Sequence, residues 1–168
     1  MRKGKKAKTI LKWISWGFFI AFSALIILEA AMPADQSSAQ SGFLASLVAS
    51  FLDLFPNVSK EIYGGVEGFL RKAIGHFGLF MITGSWGILA FLLTFDGKEQ
   101  RDFSALLCSG AIGLVLALGS EAIQLIPALN RSGEFLDCLI DISGYLLGLL
   151  ICFFIFHLAN KEKSEAKE

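Results

Sequence analysis

The chain is poor in the residues that build a disulfide scaffold, a cysteine metal centre or a nucleic-acid-binding face. Its 168 residues include two histidines, three cysteines and three prolines, and fifteen basic residues are matched by fifteen acidic ones. The cysteines, Cys108, Cys138 and Cys152, lack metal-type spacing and are odd in number. They read as small apolar filler, which excludes a disulfide framework. A net charge of zero gives no electrostatic footprint for nucleic acid, and none is expected as a partner. There is no internal repeat and no second soluble domain. Charge is also missing over long distances. Residues 13–28, 73–95, 103–120 and 142–160 contain no Asp, Glu, Lys or Arg.

What fills those runs is apolar. Sixteen residues are Phe, 54% of the chain is hydrophobic, and the mean hydropathy is +0.61. A helix needs roughly 20 apolar residues to cross a bilayer, and helices satisfy their own backbone inside lipid. The expected architecture is therefore all-α and polytopic, with four transmembrane helices near 10–31, 73–95, 103–126 and 137–159. Together they make one membrane domain over 10–159, between a basic N-terminus (1–9) and a charged tail (160–168). A fifth uncharged stretch, Gln36–Leu52, is half Ser, Gln, Gly and Ala, and is rejected as a span. Within the first loop, GFLASLVASFLDLFP aligns Leu44, Leu47, Val48, Phe51 and Phe55 on one face. That predicts a short amphipathic helix lying in the headgroup plane.

The neutral total hides a bias. Six basic residues fall in the first twelve, two in 96–102 and three in the tail, whereas the remaining loops hold only Lys60, Arg71, Lys72 and Arg131. Positive loops stay in the cytoplasm, so both termini are expected on the cytoplasmic side, with 32–72 and 127–136 outside. The first segment has some features of a secretory signal. Its apolar stretch is long for a cleaved one, and a retained anchor is expected.

Ionisable groups gather toward the outer ends of the predicted helices. His76 lies one turn into the second helix. Glu121 and Gln124 lie one turn apart on the third, and Asp137 and Asp141 four apart at the start of the fourth. Arg71, Lys72 and Arg131 occupy the adjoining loops. Each polar end continues into small residues: His76, Thr83 and Gly87; Gly110, Ala117, Glu121 and Gln124; Asp137, Asp141, Gly144 and Gly148. Gly144 and Gly148 have GxxxG spacing, expected to serve helix packing. One such residue alone reads as an interfacial anchor, and Asp137 alone as a helix cap. Glu29 suits either anchor or site, and His157 an interfacial position. The conjunction favours a shared polar site.

RKAIGHFGLF followed by SEAIQLIPALNRSGEFLDCLIDISGYLLG resembles the VanZ family of bacterial membrane proteins. The pattern is a base before His-Phe, then E-x-x-Q, Arg, an acid six positions on, Asn four later and two glycines. It falls on Arg71 or Lys72, His76, Phe77, Glu121, Gln124, Arg131, Asp137, Gly144 and Gly148, with Asp141 in place of the Asn. The resemblance spans about residues 10 to 155. It implies a membrane fold, a set of site residues and a link to glycopeptide (teicoplanin) resistance, but no reaction.

Three functions are then in play. The first is recognition of an anionic membrane lipid or lipid-linked envelope precursor. Arg71, Lys72, Gln124, Arg131 and Asp141 would hold the headgroup, with His76, Glu121 and Asp137 moving protons if the protein is an enzyme. The second is a non-enzymatic membrane component in which Glu121–Arg131 and Asp137–Arg71 are internal ion pairs. The third is a proton-coupled transporter, disfavoured because the polar set lies at one end rather than the midplane. A metal on His76, Glu121 and Asp137 is chemically possible, but the reading adopted has no metal and no cofactor. A homo-oligomer is compatible with it.

Overall fold

A computed structural model describes residues 2–36, 76–131 and 133–165. These are helical, with no strand among them. Helix α1 spans Arg2–Ala30, α2 spans Leu79–Thr94, α3 spans Arg101–Gln124, and α4 spans Phe135–Glu165. A π-type turn at 76–78 leads into α2 and lengthens its apolar span to His76–Thr94. The other spans are Lys6–Ala30, Arg101–Gln124 and Phe135–Lys161. All four are long and apolar enough to cross a bilayer, which makes this a multi-pass membrane protein. The amphipathic helix expected before Pro56, along with Arg71 and Lys72, lies outside the described residues.

Helix α2 is the centre of the bundle. Half of its span is buried, against 17% for α1. It packs most extensively on α4, then on α1 and α3. Side chains on the outer faces, among them Trp13, Phe103, Val115 and Phe154, remain exposed. A surface so apolar is unsuited to water but matches hydrocarbon.

Lipid tails are as apolar as the side chains, so burial alone does not pull these helices together; close packing does. A Cβ at Gly84 would fall on the main chain of Tyr145, one at Gly144 on that of Phe77, and one at Gly148 on that of Met81. Helices α2 and α4 thus touch backbone to backbone. Ser85 Oγ donates to Met81 O (2.9 Å) and across the seam to Gly148 O (3.1 Å). Tyr145 fills the space between α4 and α3. Its ring lies against Gly113, and its hydroxyl is 3.1 Å from Ser109 Oγ.

The small-residue stripe expected on α3 shifts as a result. Ala105, Ser109, Gly113, Ala117, Ser120, Glu121 and Gln124 are buried, while Gly110 has no neighbour within 4 Å of where its Cβ would be. Tyr145 selects Gly113, because only a residue without a side chain leaves room for the ring.

At one end, Lys8 Nζ pairs with Asp96 at 2.9 Å, and Arg101 Nε with Asp102 at 2.7 Å. His157 Nε2 approaches Asp102 at 3.3 Å without a hydrogen bond. Trp16 Nε1 donates to Thr94 Oγ1 at 3.0 Å, fixing α1 against the end of α2. An open surface depression of about 590 Å³, lined by Gly97–Phe103, lies at this end and contains none of the predicted site residues.

Gly148→Ala should destabilise the bundle by about 1–3 kcal/mol, the usual cost of an overpacked contact. Gly110→Ala, with space around it, should leave the thermal midpoint in detergent unchanged or raised. Equal effects of the two substitutions would contradict the backbone-to-backbone seam.

Candidate functional site

The polar residues meet at the opposite end. Pro127 ends α3 locally, since it supplies no N–H and disfavours helix in the preceding residue. Ile126 is extended there. A 3-10 turn at Pro127–Leu129 follows, then Asn130 in the left-handed conformation (φ 50°), which Asn tolerates better than most residues. This reversal returns the chain to start α4 beside the end of α3. Gly133 lies against the Glu121 carbonyl, where a Cβ would sit only 2.8 Å away. The Glu134 main-chain N–H donates to Glu121 Oε2 at 2.8 Å. Glu121 Oε1 accepts from Gln124 Nε2 at 3.3 Å. Glu121 thereby ties the start of α4 to α3.

His76 enters from the turn before α2. Its Nδ1 is 3.0 Å from Asp141 Oδ1, a separation at which the ring N–H donates to the carboxylate. Its Nε2 is 3.9 Å from Asp137 Oδ2, beyond hydrogen-bond distance. Asp141 Oδ2 accepts from Ser120 Oγ at 3.4 Å. Asp141 is fully buried, Asp137 is 5% exposed and Glu121 8%. Each of His76, Glu121 and Asp141 brings one atom to within 4.8 Å of the other two. Such buried polar groups are costly unless paired, and here they pair with one another.

Arg131 also reaches α1. Its Nη1 donates to Glu29 O (3.0 Å) and Met32 O (3.4 Å), at the C-terminal end of α1. A cation there satisfies orphan carbonyls and the negative end of the helix dipole. Glu29 thus enters through its carbonyl.

The structure therefore brings together His76, Glu121, Gln124, Asp137 and Asp141 from three helices. It places Arg131 Nη1 on α1, and Gly144 and Gly148 in the α2–α4 seam. Two participants were missed from the sequence: Ser120, and the main-chain N–H of Glu134. Ser120 precedes Glu121 at the polar end of α3, which was its one signal; that Asp141 faces it is a result of the packing. The Glu134 bond depends on a loop path that no residue pattern announces.

The sequence model of the VanZ/LLP1 family matches residues 15–157. The chain belongs to the VanZ/LLP1 family. No curated protein and no solved structure matches it. The match contains the second and third spans whole, most of the first and fourth, and every residue of the polar cluster, so in this VanZ/LLP1 protein the cluster belongs to the family domain and not to an appended segment.

A double-mutant cycle on His76→Ala and Asp141→Ala, read by thermal unfolding in detergent, should give a coupling of about 1–3 kcal/mol, as for groups in direct contact. The cycle between His76 and Asp137 should give less, given the longer separation. The reverse order would show that Asp137, and not Asp141, holds the imidazole.

Proposed function

We propose that this VanZ/LLP1 protein binds the headgroup of an anionic lipid or lipid-linked envelope precursor at the outer surface of the bacterial cell membrane. The reading is supported by one observation above all: ionisable side chains from three helices meet and are buried at one end of the bundle, whereas the ion pairs at the other end are more exposed. A charge at the bilayer centre costs on the order of 3 kcal/mol, and less near the surface. The glycine seam and Tyr145 already pack the helices, so packing does not account for the cluster.

The outward placement rests on charge bias. Basic residues concentrate in the N-terminus, the 96–102 loop and the tail, and the polar cluster lies at the other end of the spans. In the headgroup reading, His76 and Gln124 supply donors, and Arg71 or Lys72, five or four residues before His76 in the sequence, add positive charge. Arg131 serves at the rim, where its Nη1 also holds α1. If the protein is an enzyme, His76, steadied by Asp141, is the group we assign to proton transfer. The proposal assigns no reaction. Binding of an envelope precursor is also the link we propose to the family's association with teicoplanin resistance.

A second reading has its own support. The Glu121–Glu134 and Arg131–Glu29 bonds clamp the loop between α3 and α4, as a purely structural polar set would.

Native mass spectrometry of the purified protein separates the two. Retention of anionic phosphatidylglycerol over zwitterionic phosphatidylcholine should fall about tenfold in His76→Ala and Gln124→Ala, the worth of one charge-assisted hydrogen bond. Membrane abundance should be unchanged. Loss of folded protein in both variants, with equal lipid retention in what remains, would assign the cluster to structure.

A further inference from the structure

We propose that His76, Glu121 and Asp141 are the ligands of a divalent transition-metal cation. The geometry comes first. Their donor atoms all lie within 4.8 Å of one another, and the closest pair, His76 Nδ1 and Asp141 Oδ1, is 3.0 Å apart. Atoms bound to one first-row ion at ~2.0–2.2 Å stand ~3–3.5 Å apart. The pair already has that spacing, and small side-chain rotations bring Glu121 to it. The three ligands come from the turn before α2, the end of α3 and the start of α4. Their spacing is set by backbone contacts elsewhere, so the site is assembled before any ion arrives.

The chemistry of the set narrows the ion. One imidazole nitrogen with two carboxylates suits Mn²⁺, Fe²⁺ or Zn²⁺. Mg²⁺ and Ca²⁺ favour all-oxygen sites, and Cu⁺ favours sulfur. Cys138 is buried nearby in sequence, but it is not one of the three converging residues.

A second group of observations concerns what holds the ligands. Metal-binding side chains are characteristically oriented by outer hydrogen bonds, and a ligating histidine usually turns its other nitrogen toward a carboxylate or carbonyl. Glu121 is held by Gln124 Nε2 and the Glu134 N–H. Asp141 is held by Ser120. With Nδ1 on the ion, the ring proton sits on Nε2, and Asp137 Oδ2 lies on that side at 3.9 Å. Glu121 and Asp141 thus have an outer hydrogen bond in place, and Asp137 stands about one ångström beyond hydrogen-bond reach of the imidazole.

Three protein ligands leave coordination positions open. A phosphate oxygen fits such a position, and the ion would turn an acidic cluster into an anion receptor. This last step rests on the headgroup reading; the cation site does not.

The test uses the full chain in detergent, stripped with EDTA and titrated with Mn²⁺ (followed by electron paramagnetic resonance) and with Zn²⁺ (by calorimetry). The wild type should bind about one ion per chain. Its thermal midpoint should rise by about 5–10 °C at roughly a hundredfold excess over Kd. Glu121→Gln and Asp141→Asn, which keep the shape of each side chain and one of its two acceptor oxygens, should lose binding, and Ser120→Ala should weaken it about tenfold. Absence of binding by the wild type, which needs no variant to fold, would overturn the site. So would equal binding by the Gln and Asn variants. Anionic lipid retained after EDTA, in a protein that binds Mn²⁺, would overturn the bridging role alone.

Discussion

Helices α2 and α4 touch main chain to main chain at three points, because Gly84, Gly144 and Gly148 remove the Cβ atoms that would hold the backbones apart. In lipid this contact matters more than it would in water, since the hydrophobic effect does not discriminate between a neighbouring helix and an acyl chain. It also sets the chemistry. Gly144 rests on the main chain of Phe77, the residue after His76, and Asp141 is one turn earlier on the same helix. The imidazole–carboxylate contact at 3.0 Å therefore follows from the register of the glycine seam.

The third helix is fixed by a different device. Tyr145, almost fully buried, projects from α4 onto Gly113 and reaches Ser109. That docks α3 at a depth where Ser120, Glu121 and Gln124 arrive beside the start of α4. The polar residues then divide by what they touch. Arg131 and Glu121 bond to main-chain groups and tie the ends of α1, α3 and α4 together. His76 and Asp141 bond to each other, with Asp137 across the ring. Family membership over residues 15–157 places both groups in one domain.

Much of this was legible before any coordinates. The four spans follow from uncharged runs of membrane length. With four crossings, His76, Glu121, Gln124, Asp137 and Asp141 must come to one end, because each lies near the matching terminus of its helix. The pairings within the cluster were not legible. Glu121 or Asp137 was the expected partner for His76 and the contact falls on Asp141, since helical spacing places a residue on a face but does not rotate the helix against its neighbours. Gly110 and Gly113 were equally small; Tyr145 chose between them. Arg131 suited a phosphate or a carboxylate, and its Nη1 was found on the carbonyls of α1.

Composition and pattern alone determined the solvent of this protein, the number of crossings and the end at which its polar groups collect. These depend on transfer free energies and helix length, both properties of short segments read one at a time. Tertiary structure decided which glycines touch, which carboxylate holds the histidine and which hydrogen bonds stop at the main chain. Those outcomes depend on helix rotation and depth to within an ångström or two, and only the simultaneous packing of α2, α3 and α4 settles them.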